Sequence, residues 1–346
     1  MIRFDKEAPG GGVDAYTVIE NGKAEIYFKV YLVESSAMED REVEAGVLKN
    51  GRVEDSEVKA GVLKNGKPKD CKVEQCPVTV EITMFDPKGK ESARMRLRPK
   101  RGLVSAESSL TASLTTRTLL IYPQLWQSVT NPLLYRVKAH IISGETVLDA
   151  KEFRYPICSM RSIPGKGFLL NQKPFALQAV HYPVTRDWRE YLEKDLELLV
   201  ELGANCICPD RFPRDSMFYE KCLEKGMIIW KLVADDPSIP RLWGGDNPLV
   251  SADRLRRQDL FYYYQAIWSN REVLHICDHE KTPRPGTTAS AVVYSNQKKV
   301  ALYVNGILQE FKQTPPEFVF EDIAVKGEHT VVSVQAGECF ASVTWS

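Results

Sequence analysis

Apolar and polar residues alternate in short runs through the first half of the chain. Ala24 to Leu32 (AEIYFKVYL), Val78 to Phe85 (VTVEITMF) and Leu134 to Ile142 (LYRVKAHII) carry this pattern, which is the period of a half-buried strand. Glu20-Asn21-Gly22 and Asp86-Pro87-Lys88-Gly89 separate such runs with turn residues. Residues 13 to 163 therefore predict an antiparallel β-sandwich. From about Gly165 the period changes. Phe175 to Val180 reads as a buried strand. A helix opens at Asp187, with Glu190 completing a capping box. Trp188, Tyr191, Leu192, Leu198, Leu199 and Leu202 recur at helical spacing, and Gly203 closes the helix. A strand at Ala204 to Ile207, a helix from near Asp215 to Gly226, a strand at Met227 to Val233 and an aromatic-rich helix at Arg254 to Trp268 follow. Strand, helix, strand, helix, strand predicts parallel βαβ units. Alternation returns at Ser290 to Asn296, Val300 to Val304 and Thr330 to Val334, with Val304-Asn305-Gly306 marking a hairpin in a second sandwich.

Composition narrows the partners. Lys+Arg and Asp+Glu both number 46, so the formal net charge is zero. No nucleic-acid or membrane partner is expected, since both usually demand a basic surface. The one basic run, Arg94 to Arg101 (RMRLRPKR), lacks interleaved aromatics and reads as a solvated strand face. EAGVLKNG at 44–51 returns as KAGVLKNG at 59–66, a local duplication that lengthens a pair of strands. No apolar stretch reaches the ~18 residues of a membrane span. MIRFDKEAPGGG has no hydrophobic leader segment. The eight cysteines are scattered, and reduced thiols with a cytoplasmic location are the expectation.

Several stretches carry a family resemblance. Leu125-Trp126 with Asn131-Pro132-Leu133-Leu134-Tyr135 resembles an "LW…NP-LY" segment. Gly167-Phe168-Leu169-Leu170-Asn171-Gln172-Lys173-Pro174 resembles a "GF-LNGKP" hairpin. Asp195-Leu196 through Leu202-Gly203-Ala204-Asn205, then Phe218-Tyr219 and Lys225-Gly226-Met227, follow in order. Asp259 to Trp268 (DLFYYYQAIW), Val293-Tyr294-Ser295-Asn296 and Leu302-Tyr303-Val304-Asn305-Gly306 complete the set. Together they resemble glycoside hydrolase family 2, the β-galactosidase and β-glucuronidase-like enzymes. The resemblance implies a multidomain β plus α/β fold. Residues 1–163 would form an immunoglobulin-like β-sandwich with a short tandem duplication at 44–66. Residues 164–268 would form a truncated TIM-barrel-like unit, and 269–346 a second immunoglobulin-like β-sandwich.

A complete (β/α)₈ barrel takes ~250 residues, and residues 164–268 leave room for about three strands and a final helix. In the family, the general acid/base Glu follows the fourth barrel strand and the nucleophile Glu ends the seventh. Both would fall in the missing portion, whose place is taken by Ala234 to Ala252 (ADDPSIPRLWGGDNPLVSA). Sugar-facing positions depart as well. Cys208 and Arg211 stand where relatives show an Arg and a His. Trp230-Lys231-Leu232 lacks the family's Glu, and the first strand ends in His181-Tyr182-Pro183.

Asp210, Asp235 and Asp236 fall at predicted C-terminal strand ends, where barrel enzymes place catalytic groups. They also suit turns, and adjacent aspartates cannot easily flank one glycosidic bond. Trp243, Tyr182, His181 and Arg211 are the candidate carbohydrate-binding residues, with Trp243 in its Gly/Pro-rich loop as the exposed aromatic. Cys206 and Cys208 face one way on a strand with His181 nearby, and His275, Cys277 and His279 alternate. Each set lacks a further evident ligand, so no metal and no cofactor are expected. Three functional readings follow. The chain is a catalytically inactive family relative with a carbohydrate-binding or assembly role, or a residual O-glycosyl hydrolase using non-family carboxylates or a partner chain, or a purely structural sandwich protein. The first is preferred. Three parallel strands cannot close into a barrel, so a homodimer or a partner protein is expected over the open side, unless the 234–252 loop folds across as a plug.

Overall fold

The alternating runs pair as antiparallel sheets in the computed structural model. It describes all residues except 1, 35–59, 62–77, 100–111, 166, 232–235, 237, 278–282, 327–328 and 346. Two compact units result: Met1–Gln127 with Asn131–Phe175, and Ser128–Thr130 with Ala176–Ser346.

In the first unit, β1 (Ile2–Phe4), β2 (Val13–Glu20), β3 (Lys23–Glu34), β4 (Ala60–Gly61) and β7 (Ala112–Ile121) form one sheet. A second sheet has the order β6 (Glu91–Leu97), β5 (Val78–Phe85), β8 (Tyr135–Ser143), β9 (Thr146–Tyr155). Every second residue turns inward: Ile26, Phe28 and Val30 from β3, Val80, Ile82 and Met84 from β5, and Val137, Ala139 and Ile141 from β8 share one core. Within the basic run, Arg94 and Arg96 flank the buried carboxylate of Glu81, Arg96 Nε donating at 2.6 Å. Apart from Ala60–Gly61, the tandem duplication lies outside the described residues. A small sheet of β10 (Met160–Ile163), β11 (Gly167–Leu170) and β12 (Lys173–Pro174) closes the unit. Its hairpin turns on Asn171 and Gln172, both at positive φ, and the Asn171 amide bonds the Trp126 carbonyl and the Ser159 N–H.

The second unit begins with three parallel strands in sequential order, β13 (Ala179–Tyr182), β14 (Cys206–Pro209) and β15 (Ile228–Ile229). The helices α1 (Trp188–Leu202) and α2 (Ser216–Glu224) make the crossovers. These strands start later than the apolar runs suggest; ahead of β13, the Gln178 N–H bonds the Asn205 side chain at 2.9 Å instead of a ladder partner. Helix α1 starts at the expected place without the expected cap. Asp187 has φ −95° and ψ 10° rather than an extended backbone, and its side chain makes no cap bond. Asp215, extended, does cap α2 by accepting from Met217 N at 2.9 Å. Gly203 ends α1 at φ +91°, and a Cβ there would sit 2.8 Å from the Trp268 backbone. The aromatic helix α3 covers only Asp259–Trp268, because Arg254 adopts φ +58° and the preceding residues run irregularly.

Two antiparallel sheets complete this unit. One is β16 (Leu274–Ile276), β17 (Thr288–Ser295), β20 (Glu317–Ala324). The other has the order β19 (Ile307–Lys312), β18 (Val300–Val304), β21 (Thr330–Ala336), β22 (Cys339–Trp345). Asn305 and Gly306 turn the β18–β19 hairpin at positive φ. Helix α3 packs on β16 and β17, which is why the α/β segment and the following sandwich form one unit. The architecture is mostly β, with no closed barrel among the described residues. No helix among them is long and apolar enough to cross a membrane.

Candidate functional site

The C-terminal ends of β13 and β14 are where the candidate residues gather. Alternation splits them between two faces. Val180, Tyr182 and Ile207 join the apolar cluster with Leu196, Leu199 and Phe218. His181, Cys206 and Cys208 take the opposite face, with His181 opposite Cys208 in the ladder. The neighbouring Cys208 thiol, together with burial, pushes the Cys206 thiol far above the ordinary range.

The free edge of β13 is occupied by the chain's own loop. His181 N donates to Pro240 O at 2.9 Å and Leu242 N to His181 O at 3.0 Å. Leu249 N then bonds Arg241 O, and Val250 N bonds Leu242 O. Leu242, Leu249 and Val250 are buried in the cluster beside α1. The plug anticipated from the loop's apolar residues thus covers this edge. Among the described residues no strand pairs the outer edge of β15.

A buried polar node anchors the plug. Asp195, on the inner face of α1, has no solvent exposure. It accepts from Tyr182 Oη at 3.0 Å and from Arg254 Nε at 3.1 Å. Burial raises the Asp195 carboxyl above the usual carboxylate range, with Arg254 opposing the rise. The Arg254 guanidinium lies 4.2 Å from the Tyr191 ring centroid and 4.3 Å from that of Trp243, within the range of cation–π attraction to both rings.

These contacts decide what each candidate can offer. Tyr182 is fully enclosed, with no ring face for a sugar. Trp243 is half-buried and spends a ring face on Arg254. Arg211 is exposed, but its Nε donates to Val184 O at 2.9 Å. Asp210 accepts from Val184 N at 3.0 Å. Asp236 accepts from Ser238 N at 2.9 Å and Ser238 Oγ at 2.7 Å, and these bonds hold its carboxyl below the ordinary range. Asp235 lies outside the described residues.

A cleft of about 400 Å³ opens between the plug and α3. His181, Asp236, Ile239, Pro240, Arg241, Asn247, Leu260 and Tyr264 line it. Of the residues singled out in the sequence, His181 and Asp236 reach it. Arg241, Asn247 and Tyr264 were not singled out. Their spacing carries no signal, and only the docking of the loop against β13 and α3 brings them together.

No family model matches the chain. In sequence it is similar to a provisionally named β-glucuronidase of Formosa agariphila, 31% identical over 119 residues, which is 33% of this chain and 11% of that protein. The chain thus aligns with a small part of that relative. In fold it is similar over 100% of its length to a crystal structure of a provisionally named β-galactosidase from Bacteroides fragilis, with a TM-score of 0.75, 14% identity and 75% of that chain covered. A glycosyl hydrolase family 2 member from Bacteroides cellulosilyticus gives a TM-score of 0.68 at 14% identity, covering 99% of this chain and 63% of the other.

Proposed function

We propose that this chain, a partial relative of glycoside hydrolase family 2, is a non-hydrolytic protein that binds carbohydrate in the cleft lined by His181, Arg241 and Tyr264. The α/β segment is then the remnant of a barrel, with β13, β14 and β15 as its first strands and α3 as its last helix. The observation that carries this reading is the employment of the strand-end carboxylates. Asp210 and Asp236 both accept hydrogen bonds from backbone N–H groups of nearby loops. Retaining hydrolysis needs two carboxyl groups ~5–5.5 Å apart, one of them protonated and aimed at the leaving oxygen. Asp236, held ionised by Ser238, is unsuited to act as that acid.

The cleft itself suits a sugar. It joins an aromatic ring, Tyr264, to the polar groups of Arg241, Asn247 and Asp236. Binding sites of this kind place a few convergent polar groups on an apolar wall. The direct test is hydrolysis of a panel of aryl-β-glycosides and aryl-β-glucuronides, run beside calorimetric titration with the matching glycans. Binding without turnover is expected. Turnover abolished by Asp210→Asn or Asp236→Asn would replace this reading with that of a residual hydrolase.

A further inference from the structure

We propose that Asp259, His275 and Cys277 form a binding site for a zinc-class transition-metal ion at the junction of α3 and the sandwich that follows it. One carboxylate oxygen, one imidazole nitrogen and one sulfur, taken from these residues, all lie within 4.8 Å of one another. Oxygen, nitrogen and sulfur donors in one cluster are the ligand types of a borderline-soft divalent ion. Calcium and magnesium would be served by oxygens alone.

The site is built by two elements. Asp259 is the first residue of α3, and its Oδ1 lies 2.7 Å from His275 Nε2. His275 stands on β16, with its ring stacked on Tyr262 at 3.8 Å and an interplanar angle of 13°. The stack limits rotation of the imidazole. Cys277 follows directly on β16, fixed by its N–H bond to Val292 O at 2.8 Å. Tyr294 stands directly opposite His275 in the β16–β17 ladder, beside the site. Asp259 keeps about a third of its side chain exposed and His275 a seventh, so an ion can enter from solvent.

The packing needs little change to admit one. Tetrahedral zinc holds N, O and S ligands at about 2.0–2.3 Å, which places neighbouring donor atoms about 3.5 Å apart at the same bond lengths. The imidazole and carboxylate would part by under about 1 Å from their present contact, and the sulfur would close in. On binding, the Cys277 thiol gives up its proton to solvent. The imidazole takes its Nδ1–H form and presents the Nε2 lone pair, and the proton now shared between His275 and Asp259 passes to solvent as the ion takes its place. Three protein ligands leave a fourth position open, the pattern of zinc sites that hold a water. The ion would tie α3 to β16 and so stiffen the joint between the α/β segment and the sandwich.

The proposal is independent of the carbohydrate reading and departs from the expectation that no metal binds. The test titrates the full chain with Zn²⁺ and, separately, with Co²⁺. One equivalent of ion should bind through this site. The cobalt form should show a thiolate-to-metal charge-transfer band, and zinc should raise the thermal midpoint. Cys277→Ser should abolish the band. Asp259→Asn and His275→Gln should each weaken zinc binding by more than about tenfold. Affinity should rise with pH as thiol deprotonation becomes easier. The proposal fails if the wild-type chain gives no cobalt–thiolate band, or if the band and the zinc affinity persist unchanged in Cys277→Ser and Asp259→Asn, since the ion would then sit on other cysteines. Circular dichroism of each variant without metal separates loss of ligation from loss of folding, and Asp259→Asn is the milder variant should Cys277→Ser misfold.

Discussion

The Nε of Arg254 donates to Oδ1 of Asp195 at 3.1 Å where both residues are closed off from water. Arg254 follows the 234–252 loop that occupies the free edge of β13. Asp195 belongs to the first helix of the α/β segment. Their bond therefore ties the end of that loop to α1, with the Trp243 ring held on the same guanidinium.

Removing one partner of this pair leaves the other charge buried and uncompensated, at a cost of about 3–5 kcal/mol. Arg254→Ala also releases the Trp243 and Tyr191 rings. We expect Asp195→Asn and Arg254→Ala each to lower the unfolding free energy in urea by about this amount. The double variant Asp195→Leu/Arg254→Met should lose much less, since it leaves no lone charge. Equal losses in single and double variants would show that the pair does not act as a unit.

Gly226 adopts φ +79°, and a Cβ there would lie 2.5 Å from the Ser128 backbone. Ser128 Oγ donates to Gly226 O at 2.7 Å inside the same buried contact. Gly226→Ala is expected to destabilise by more than about 1 kcal/mol, through both strain and clash. Ser128→Ala, which strips a buried carbonyl of its donor, should cost about 1–3 kcal/mol. Thermal or chemical unfolding measures both, and a neutral Gly226→Ala would mean that the segment 128–130 can move away freely.

Burial holds the His140 imidazole below its ordinary range, with Glu81 opposing the shift. Its Nδ1 is closed from water without a hydrogen-bond partner among the described residues. The unfolded chain therefore takes up this proton more readily than the folded one. The contribution of neutral His140 is complete above the unfolded value of about 6.5 and is lost as pH falls through the lower folded value. Stability should rise with pH across that window, and His140→Gln should flatten the rise. A profile unchanged by the substitution assigns the slope to other groups.

In the cleft, Arg241 and Tyr264 are the residues whose loss should be felt by a glycan. We expect Arg241→Ala and Tyr264→Ala each to weaken binding about tenfold, the value of one good hydrogen bond or ring contact. Trp243→Ala should act chiefly on stability, because its ring face lies on Arg254. Titration calorimetry and melting curves together distinguish the two effects. A variant at Trp243 that keeps its melting point and loses its glycan would restore Trp243 as the sugar platform.

The outer edge of β15 is where the expected assembly would form. Ile228 N and Trp230 N both bond β14, so the Ile229 N–H faces outward, as alternation along a strand requires. An edge of this kind invites pairing with a second copy. A dimer at micromolar concentration is expected by light scattering, and Ile229→Pro, which removes the outward donor and no bond to β14, should dissociate it. A monomeric wild-type chain rejects the dimer.

Much of this architecture was legible locally. The alternation of β3, β5 and β8, the stops at Gly203 and Gly226, the hairpins at Asn171 and Asn305 and the three parallel strands follow from short-range periodicity and turn chemistry. Steric rules of a few neighbouring residues set them. Boundaries and roles were less accessible. The chain can place Asp187 at a helix start, but whether its carboxylate caps depends on a backbone angle set by packing. Trp243 in a Gly/Pro-rich loop read as exposed until the fold brought Arg254 beneath it. Asp195 in the middle of α1 gave no sign that Tyr182 and Arg254 would converge on it. His275 and Cys277 stood out by their spacing, yet Asp259 belongs to another element and joins them only because α3 packs on β16. Local propensity determines which elements form and where they stop. Which distant side chains meet is decided by how those elements close over one another, because burial acts on surfaces that only the assembled structure defines.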